Sequence, residues 1–482
     1  MPIIDKSGRF CYKAAVRPEF FLFLAGYFVA LLLIGLKFSR RMTGLEAFFL
    51  ASRSLPASLV LLSLTASWFG ATSILVTTDE AFRSGVSAFW LVGVPAVTTV
   101  SLLGFFLVGP IRRSDGQTLP GLIEARYGRL VRHAASVLIL WYMIVLASSQ
   151  MVALGQFLKP FLGLPYVWGV GLGTAVVLVY LLSGGLFSVV ATDVLQCFLL
   201  ILGLAGLSVY LVRSSEVGAV AAAVQQAGNA GYFDFFHDGQ KNILIALSFV
   251  LAWTISPIAW QRIQAAGSVK KARQGLLAAA GVFIVLYGLV VFVGILSLPH
   301  FLGQSLTHPL VAEIVASKVG VLGGGLLFVA VVAAILSTMD TAINTGAMTL
   351  TRDIVAQVSS RSWTGPERAV RTGRLATLIV ALLAFGIAAR LQSILQTLGL
   401  ASEIMAEGLF VPGMAMFVLK KRTPLAGALS LILGGGFALL SFLSTLKIAP
   451  LDLPAWPYSV PYGVGLSIVG FGAGALIDRH SN

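Results

Sequence analysis

The chain has 482 residues, 57% hydrophobic and only 11% charged, with a formal net charge of +14. Apolar runs of about twenty residues recur from end to end, which excludes a soluble domain and predicts an all-α polytopic membrane protein. The charge does not point to nucleic acid, because the basic residues lie in loops, mostly alternate ones, as in the positive-inside pattern.

In chain order the apolar runs predict about thirteen transmembrane helices. They fall at residues 19–37, 54–78, 88–109, 134–158, 166–182, 189–212, 241–260, 275–298, 320–350, 373–391, 398–418, 424–444 and 461–477. The loops are short, so residues 1–482 read as a single transmembrane domain. The clusters Arg40/Arg41/Arg53, Arg112/Arg113/Arg126/Arg129/Arg132, Arg262/Lys270/Lys271/Arg273, Arg352/Arg361/Arg368/Arg371/Arg374 and Lys420/Lys421/Arg422 share one side, the cytoplasmic one. The carboxyl terminus is then cytoplasmic and the amino terminus outside, in a cell (plasma or inner) membrane. Lys6, Arg9, Lys13 and Arg17 in the amino-terminal tail argue the other way. No cleavable signal peptide is expected, because no A-x-A-like site follows the first apolar run. Cys11 and Cys197 are too differently placed to form a disulfide or a thiolate metal site. His237, His300 and His308 read as solvated loop residues, and Pro-Trp-Pro-Tyr around Trp456 as an interfacial anchor.

The stretch TASWFGATSILVTT, residues 65–78, does not read as a plain lipid-facing span. Gly70 weakens the helix, and Thr65, Ser67, Thr72 and Ser73 can bond backbone groups that a break would free. An interrupted helix here exposes carbonyl oxygens at mid-membrane depth; a continuous helix packed through small residues is the competing reading. The run 241–260 ends LAWTISPIAWQR, where Pro257 removes a backbone donor beside Thr254 and Ser256. The first interrupted helix opens a block of five spans, residues 54–212, and the second opens another five, residues 241–418. An odd number of spans inverts the second block against the first, and matched breaks in two inverted halves point to the binding site of a secondary transporter. One leading helix (19–37) and two trailing helices (424–477) are additions to this core.

Ionisable groups at membrane depth need a reason. Asp193 lies in SGGLFSVVATDVLQ, residues 183–196, beside Thr192 and Gln196. In AAILSTMDTAIN, residues 333–344, Ser337, Asp340 and Thr341 share one helix face, and Thr338 follows Ala334 by four. Oxygen ligands with almost no nitrogen suit a hard cation. The competing reading is a Ser/Thr helix contact with Asp340 facing cytoplasmic water. Glu403 and Glu407 are four apart in ASEIMAEGLFVPG, and Glu407 reads as a proton carrier, a partner for a cationic solute, or a structural group.

Three of these stretches together resemble the sodium/solute symporter family, which includes sodium-coupled proline, sialic acid, pantothenate and sugar carriers. SGGLFSVVATDVLQ is similar to the family's GG-x-x-AVxWTDxxQ pattern, with Ala191 in place of Trp. AAILSTMDTAIN followed by TRDIV resembles its A-x-x-STxDSxLN…RDIY pattern, and PIAWQRIQAAGSVKKARQG its QR segment. The resemblance implies the leucine-transporter fold, a 5+5 inverted repeat.

The resemblance also implies a sodium ion held by the carbonyls of Ala66, Phe69 and Ala334 and the hydroxyls of Ser337 and Thr338. A second sodium site, present in some members, would use Asp193, Ser337, Asp340 and Thr341; Asp340 departs from the serine of the best-matching two-sodium members. The solute pocket would be formed by Trp68, Ser73, Trp90, Trp253 and Ser256. Val92 and Ser256 stand where sugar carriers have acidic and amide groups, which argues against a sugar. The expected activity is import of a small organic solute, a carboxylate or amino-acid-like compound, with sodium by alternating access. A proton-coupled carrier using Asp193, Asp340 or Glu407, and a transporter-like sensor acting through a separate partner, are the alternatives. The sequence shows no intramembrane His cluster, Ser–His pairing or metal-ligand spacing, so an enzyme is not expected, and no obligate protein partner is evident.

Overall fold

The computed structural model describes residues 2–4, 10–12, 18–38, 44–114, 118–214, 217–306, 308–358, 366–390, 393–419, 421–445, 447 and 450–480. Lys6, Arg9, Lys13, Arg17, Arg40, Arg41, Arg361 and Lys420 lie outside the described residues. Apart from a hairpin of two three-residue strands, Pro2–Ile4 and Phe10–Tyr12, the described secondary structure is helical.

The helices run α1 Glu19–Phe38, α2 Leu45–Leu50, α3 Ala57–Trp68, α4 Thr77–Ser84, α5 Phe89–Leu102, α6 Val108–Arg113 and α7 Leu119–Tyr127. Then come α8 Arg129–Leu162, α9 Tyr166–Ser214, α10 Val217–Ala227, α11 Gly239–Thr254, α12 Pro257–Ala265, α13 Val269–Leu296, α14 Leu298–Phe301 and α15 Leu310–Ser317. The rest are α16 Val321–Thr349, α17 Ala356–Val358, α18 Pro366–Ala388, α19 Ile394–Ile404, α20 Phe410–Val418, α21 Pro424–Thr445 and α22 Val460–His480. π-helical turns at Thr72–Val76, Leu103–Leu107, Leu350–Val355 and Met405–Leu409 join neighbouring pieces.

Among the described residues ten helices are long and apolar enough to cross a membrane, or eleven when α11 and α12, bent by 42°, count as one span. The expected thirteen divides two of these stretches further. A straight α9 of 49 residues would be roughly 74 Å long, far beyond the roughly 30 Å hydrocarbon core of a bilayer. Gly185 breaks it: its φ of 53° is left-handed, which a glycine adopts without the clash a Cβ would make.

α16 is the axis of the molecule and packs against α1, α3, α8, α9 and α18. Every residue from Leu327 to Thr349 is buried, so this helix is enclosed by protein on all sides. α1, α21 and α22 instead expose Leu22, Leu33, Ile432, Leu439 and Ile468 outward, as lipid-facing helices do. The Trp456 indole donates to Ser248 Oγ at 2.9 Å and its ring packs on Phe249.

Candidate ion and solute site

α3 stops at Trp68. Phe69 takes φ −90° and ψ 67°, outside the helical region, and the chain resumes helical conformation at Ala71. The last turn of α3 therefore has carbonyls with no partner in its own helix. Ala66 O accepts a hydrogen bond of 2.8 Å from Ser337 Oγ of α16, and the same hydroxyl lies 2.9 Å from Ala334 O. Thr338 Oγ1 is 3.4 Å from Ala334 O. Gly70 permits this approach: a Cβ there would stand 2.6 Å from Thr338 Oγ1 and 2.6 Å from Gln150 Oε1. Beyond the break, Thr77 and Thr78 hydroxyls bond the carbonyls of Thr72 and Ile74, which the π turn leaves loosely held.

The second break falls at Ile255–Ser256. Ser256 is extended, Pro257 opens α12 at a position where its missing N–H costs nothing, and Trp260 Nε1 bonds the stranded carbonyl of Thr254 at 3.0 Å. Both expected interruptions are present.

A cavity of about 50 Å³ lies between the two breaks. Trp68, Ser73, Trp253 and Ser256 line it, together with Tyr142, Gln150, Thr72, Val92, Thr338 and Leu398. Trp90 is not among its lining residues: its indole donates to Phe235 O at 2.9 Å and packs in tilted contact with the rings of Phe235 and Phe236. Trp68 and Trp253 meet edge to face at 5.5 Å. Ser73 bonds Tyr287 at 2.8 Å, and Gln150 Oε1 accepts from Ala71 N at 2.9 Å. Trp68 Nε1 and Thr72 Oγ1 are buried with no hydrogen-bond partner among the described residues. No lining residue is acidic or basic.

The second oxygen cluster is organised by a residue that the sequence places in a cytoplasmic loop. Arg262 is only 1% exposed. Its guanidinium bonds Ser63 and Ser67 of α3 at 3.2 and 2.8 Å and Thr341 of α16 at 2.7 Å, and lies 3.6 Å from Asp193 of α9. Asp193 also accepts from Ser63 at 2.6 Å. Asp340 is fully buried, not facing water, and takes the hydroxyl of Tyr180. Asp193 and Thr341 thus share the guanidinium, Ser337 faces Ala66, and Asp340 turns to α9. Asp193 Oδ1 and Asp340 Oδ1 have no partner among the described residues. Burial of Arg262 was legible only indirectly, from an intramembrane Asp193 that needs a cation and from a Gln-Arg pair directly after a broken helix. Gln150 and Tyr142 were signalled by polar groups in the apolar run 134–158.

The profile of the sodium:solute symporter family matches residues 48–435. This chain belongs to that family. It is 29% identical to a sodium/glucose cotransporter of Vibrio parahaemolyticus, over 89% of this chain and 85% of the relative. It is 26% identical to the osmoregulated proline transporter OpuE of Bacillus subtilis, over 89% of both chains. The fold is similar to that of a Na+-coupled sialic acid symporter in a substrate-bound outward-open state, with TM-score 0.80 at 17% identity over 95% and 97% of the two chains. It is also similar to Mhp1, a nucleobase-cation-symport-1 family transporter in a closed conformation, with TM-score 0.55 at 15% identity over 90% and 95%. The architecture is the leucine-transporter fold. As a member of this family the chain is a multi-pass membrane symporter that couples movement of a small solute to sodium by alternating access. Its relatives are transporters rather than enzymes.

Proposed function

We propose that the carbonyls of Ala66, Phe69 and Ala334 and the hydroxyls of Ser337 and Thr338 hold the coupling sodium ion, and that the cavity beside them holds the solute. The observation that carries this reading is Ser337 Oγ placed between Ala66 O of the broken helix and Ala334 O of α16, at 2.8 and 2.9 Å. Serine and carbonyl oxygens of two separate helices meet there, and a hard cation replaces the hydroxyl proton as the shared partner of such oxygens. The ion joins the broken helix to α16 and favours one arrangement of the two, so coupling follows if the solute favours the same arrangement.

The solute is a carboxylate or amino-acid-like compound. Supporting this are the absence of charged lining residues, the paired tryptophans, and a helix that restarts beside the cavity after Gly70, since carboxylates bind at helix N-termini. Residues 54–212 and 241–418 are the two inverted repeats, each opened by a broken helix, with 19–37 leading and 424–477 trailing. The protein resides in the cell membrane with its carboxyl terminus cytoplasmic, and it performs no chemistry on its solute.

A second reading concerns ion number. Asp193 lies 3.6 Å from the Arg262 guanidinium, Asp340 takes the Tyr180 hydroxyl, and each acid keeps an oxygen without a partner among the described residues. Two acids and one base favour a second monovalent cation, sodium or proton, near Asp193, Ser337, Asp340 and Thr341. Uptake into vesicles decides between these readings. One sodium per solute gives a sodium dependence of slope one, and a second ion a steeper one. Ser337→Ala with Thr338→Ala should abolish sodium dependence, both of uptake and of thermal shifts in a screen of carboxylate and amino-acid solutes. A double variant with an unchanged sodium response overturns the first site.

A further inference from the structure

Two carboxylates lie within one helical turn in the apolar stretch Ala401–Val418, apart from the solute cavity and the Arg262 cluster. Glu403 is 1% exposed and Glu407 is fully buried. Glu403 is well supplied: its Oε1 accepts from Ser441 of α21 at 2.9 Å and from Ser459, just before α22, at 2.5 Å. Glu407 is not. It occupies the π turn Met405–Leu409, its carboxyl rests against Gly463 of α22, and neither oxygen has a hydrogen-bond partner among the described residues.

Among the described residues no cation answers this pair. The elements packed on the turn are α8, α11, α19, α20, α21 and α22. On α8, Arg129 and Arg132 are paired with Glu124, His133 is exposed near the start of the helix, Lys159 is near the far end, and the Tyr142 hydroxyl faces Ser256. α11 brings Lys241 in its first turn only, and α20 and α21 carry no charged residue. On α22, Asp478 accepts from the first N–H groups of α21, and Tyr462 and Arg479 are the other titratable groups with described side chains. The other charged group of this stretch is Glu403 itself, one helical turn before Glu407.

An ionised carboxylate in apolar surroundings with neither donor nor counter-charge costs several kcal/mol, and two such acids side by side do not both ionise. We propose that Glu403 and Glu407 form a proton-binding site inside the membrane, with the proton on Glu407 and Glu403 held by the two serine hydroxyls. The carboxylic acid form lets α22 pack through Gly463 directly onto the π turn. Loss of that proton to water at alkaline pH leaves two like charges at the contact between α20 and the trailing helices, and loosens it. Stability from this contact is therefore full where Glu407 is protonated and falls as pH rises.

The test is infrared difference spectroscopy of the full chain in lipid vesicles while pH is stepped from neutral to alkaline. The expected result is a neutral carboxylic-acid carbonyl stretch that disappears on the alkaline step, is missing in Glu407→Gln, and does not change when sodium is replaced by choline. Should Glu407→Gln not fold, Glu403→Gln serves instead: with the neighbouring charge gone, the band should disappear at lower pH than in wild type. The proposal is overturned by a wild-type minus Glu407→Gln difference with no neutral-acid band, by a Glu407-dependent band that changes with sodium, or by a Glu403→Gln titration of that band identical to wild type.

Discussion

Ser337 does its work with one oxygen. Its hydroxyl lies within hydrogen-bond reach of carbonyls from two helices, and an alanine there leaves both carbonyls facing an apolar methyl. A hydrogen bond or ligand to a charged group is worth about 1.5–3 kcal/mol, so Ser337→Ala should weaken half-saturating sodium by roughly ten- to a hundredfold. A sodium titration of uptake reads this directly. Gly70→Ala attacks the same place from the other helix, because the added methyl would stand 2.6 Å from Thr338 Oγ1. It should raise the sodium requirement and lower solute affinity together, while Gly70→Ala protein still folds into membranes; unchanged kinetics would mean that the two helices need not approach. Ser337, Thr338 and Gly70 were all legible as residue types in the sequence. What they touch was not, since Ala66 contributes a main-chain oxygen and carries no mark of that in its side chain.

The elements are tied together at a different point. Arg262 of α12 reaches α3, α9 and α16 at once, so one side chain fixes three helices around a fourth. Removing one member of a buried ion pair costs about 3–5 kcal/mol, whereas removing both charges together costs far less. Arg262→Met should therefore lower thermal stability sharply, Asp193→Asn less so because an amide still bonds Ser63, and the double variant should recover much of the loss. A double-mutant cycle on melting temperature checks it; strictly additive losses would show that the guanidinium and Asp193 do not interact. The two broken helices were readable because glycine and proline have specific backbone consequences. The four π turns were not, since a turn widened by one residue has no fixed composition. Arg262 was misread for a related reason: a charge following an apolar run signals a loop, and only the unmatched Asp193 argued otherwise.

For the molecule as a transporter, the cavity volume sets a requirement. About 50 Å³ holds a few water molecules, and small-solute sites usually exceed about 300 Å³. Solute entry thus demands that the breaks separate, and the segments hinged at Phe69–Gly70 and Ile255–Ser256 can move without breaking helical hydrogen bonds. Ser256 lines the cavity and is 3% exposed, so a cysteine there reports opening. In a background with Cys11 and Cys197 replaced, Ser256→Cys should react slowly with an impermeant thiol reagent without sodium. Sodium should speed labelling from the outer face and slow it from the inner face if, as proposed, the ion holds the first broken helix against α16 in an outward-open arrangement. Adding a transported solute should then protect the thiol. Each sodium moved inward down a 100 mV potential releases about 2.3 kcal/mol, which by itself, before any sodium concentration gradient is added, drives tens-fold accumulation of a neutral solute carried with one ion. Labelling that ignores sodium on both faces would separate ion binding from opening, and would leave the bond between Ser337 and Ala66 as a static helix contact.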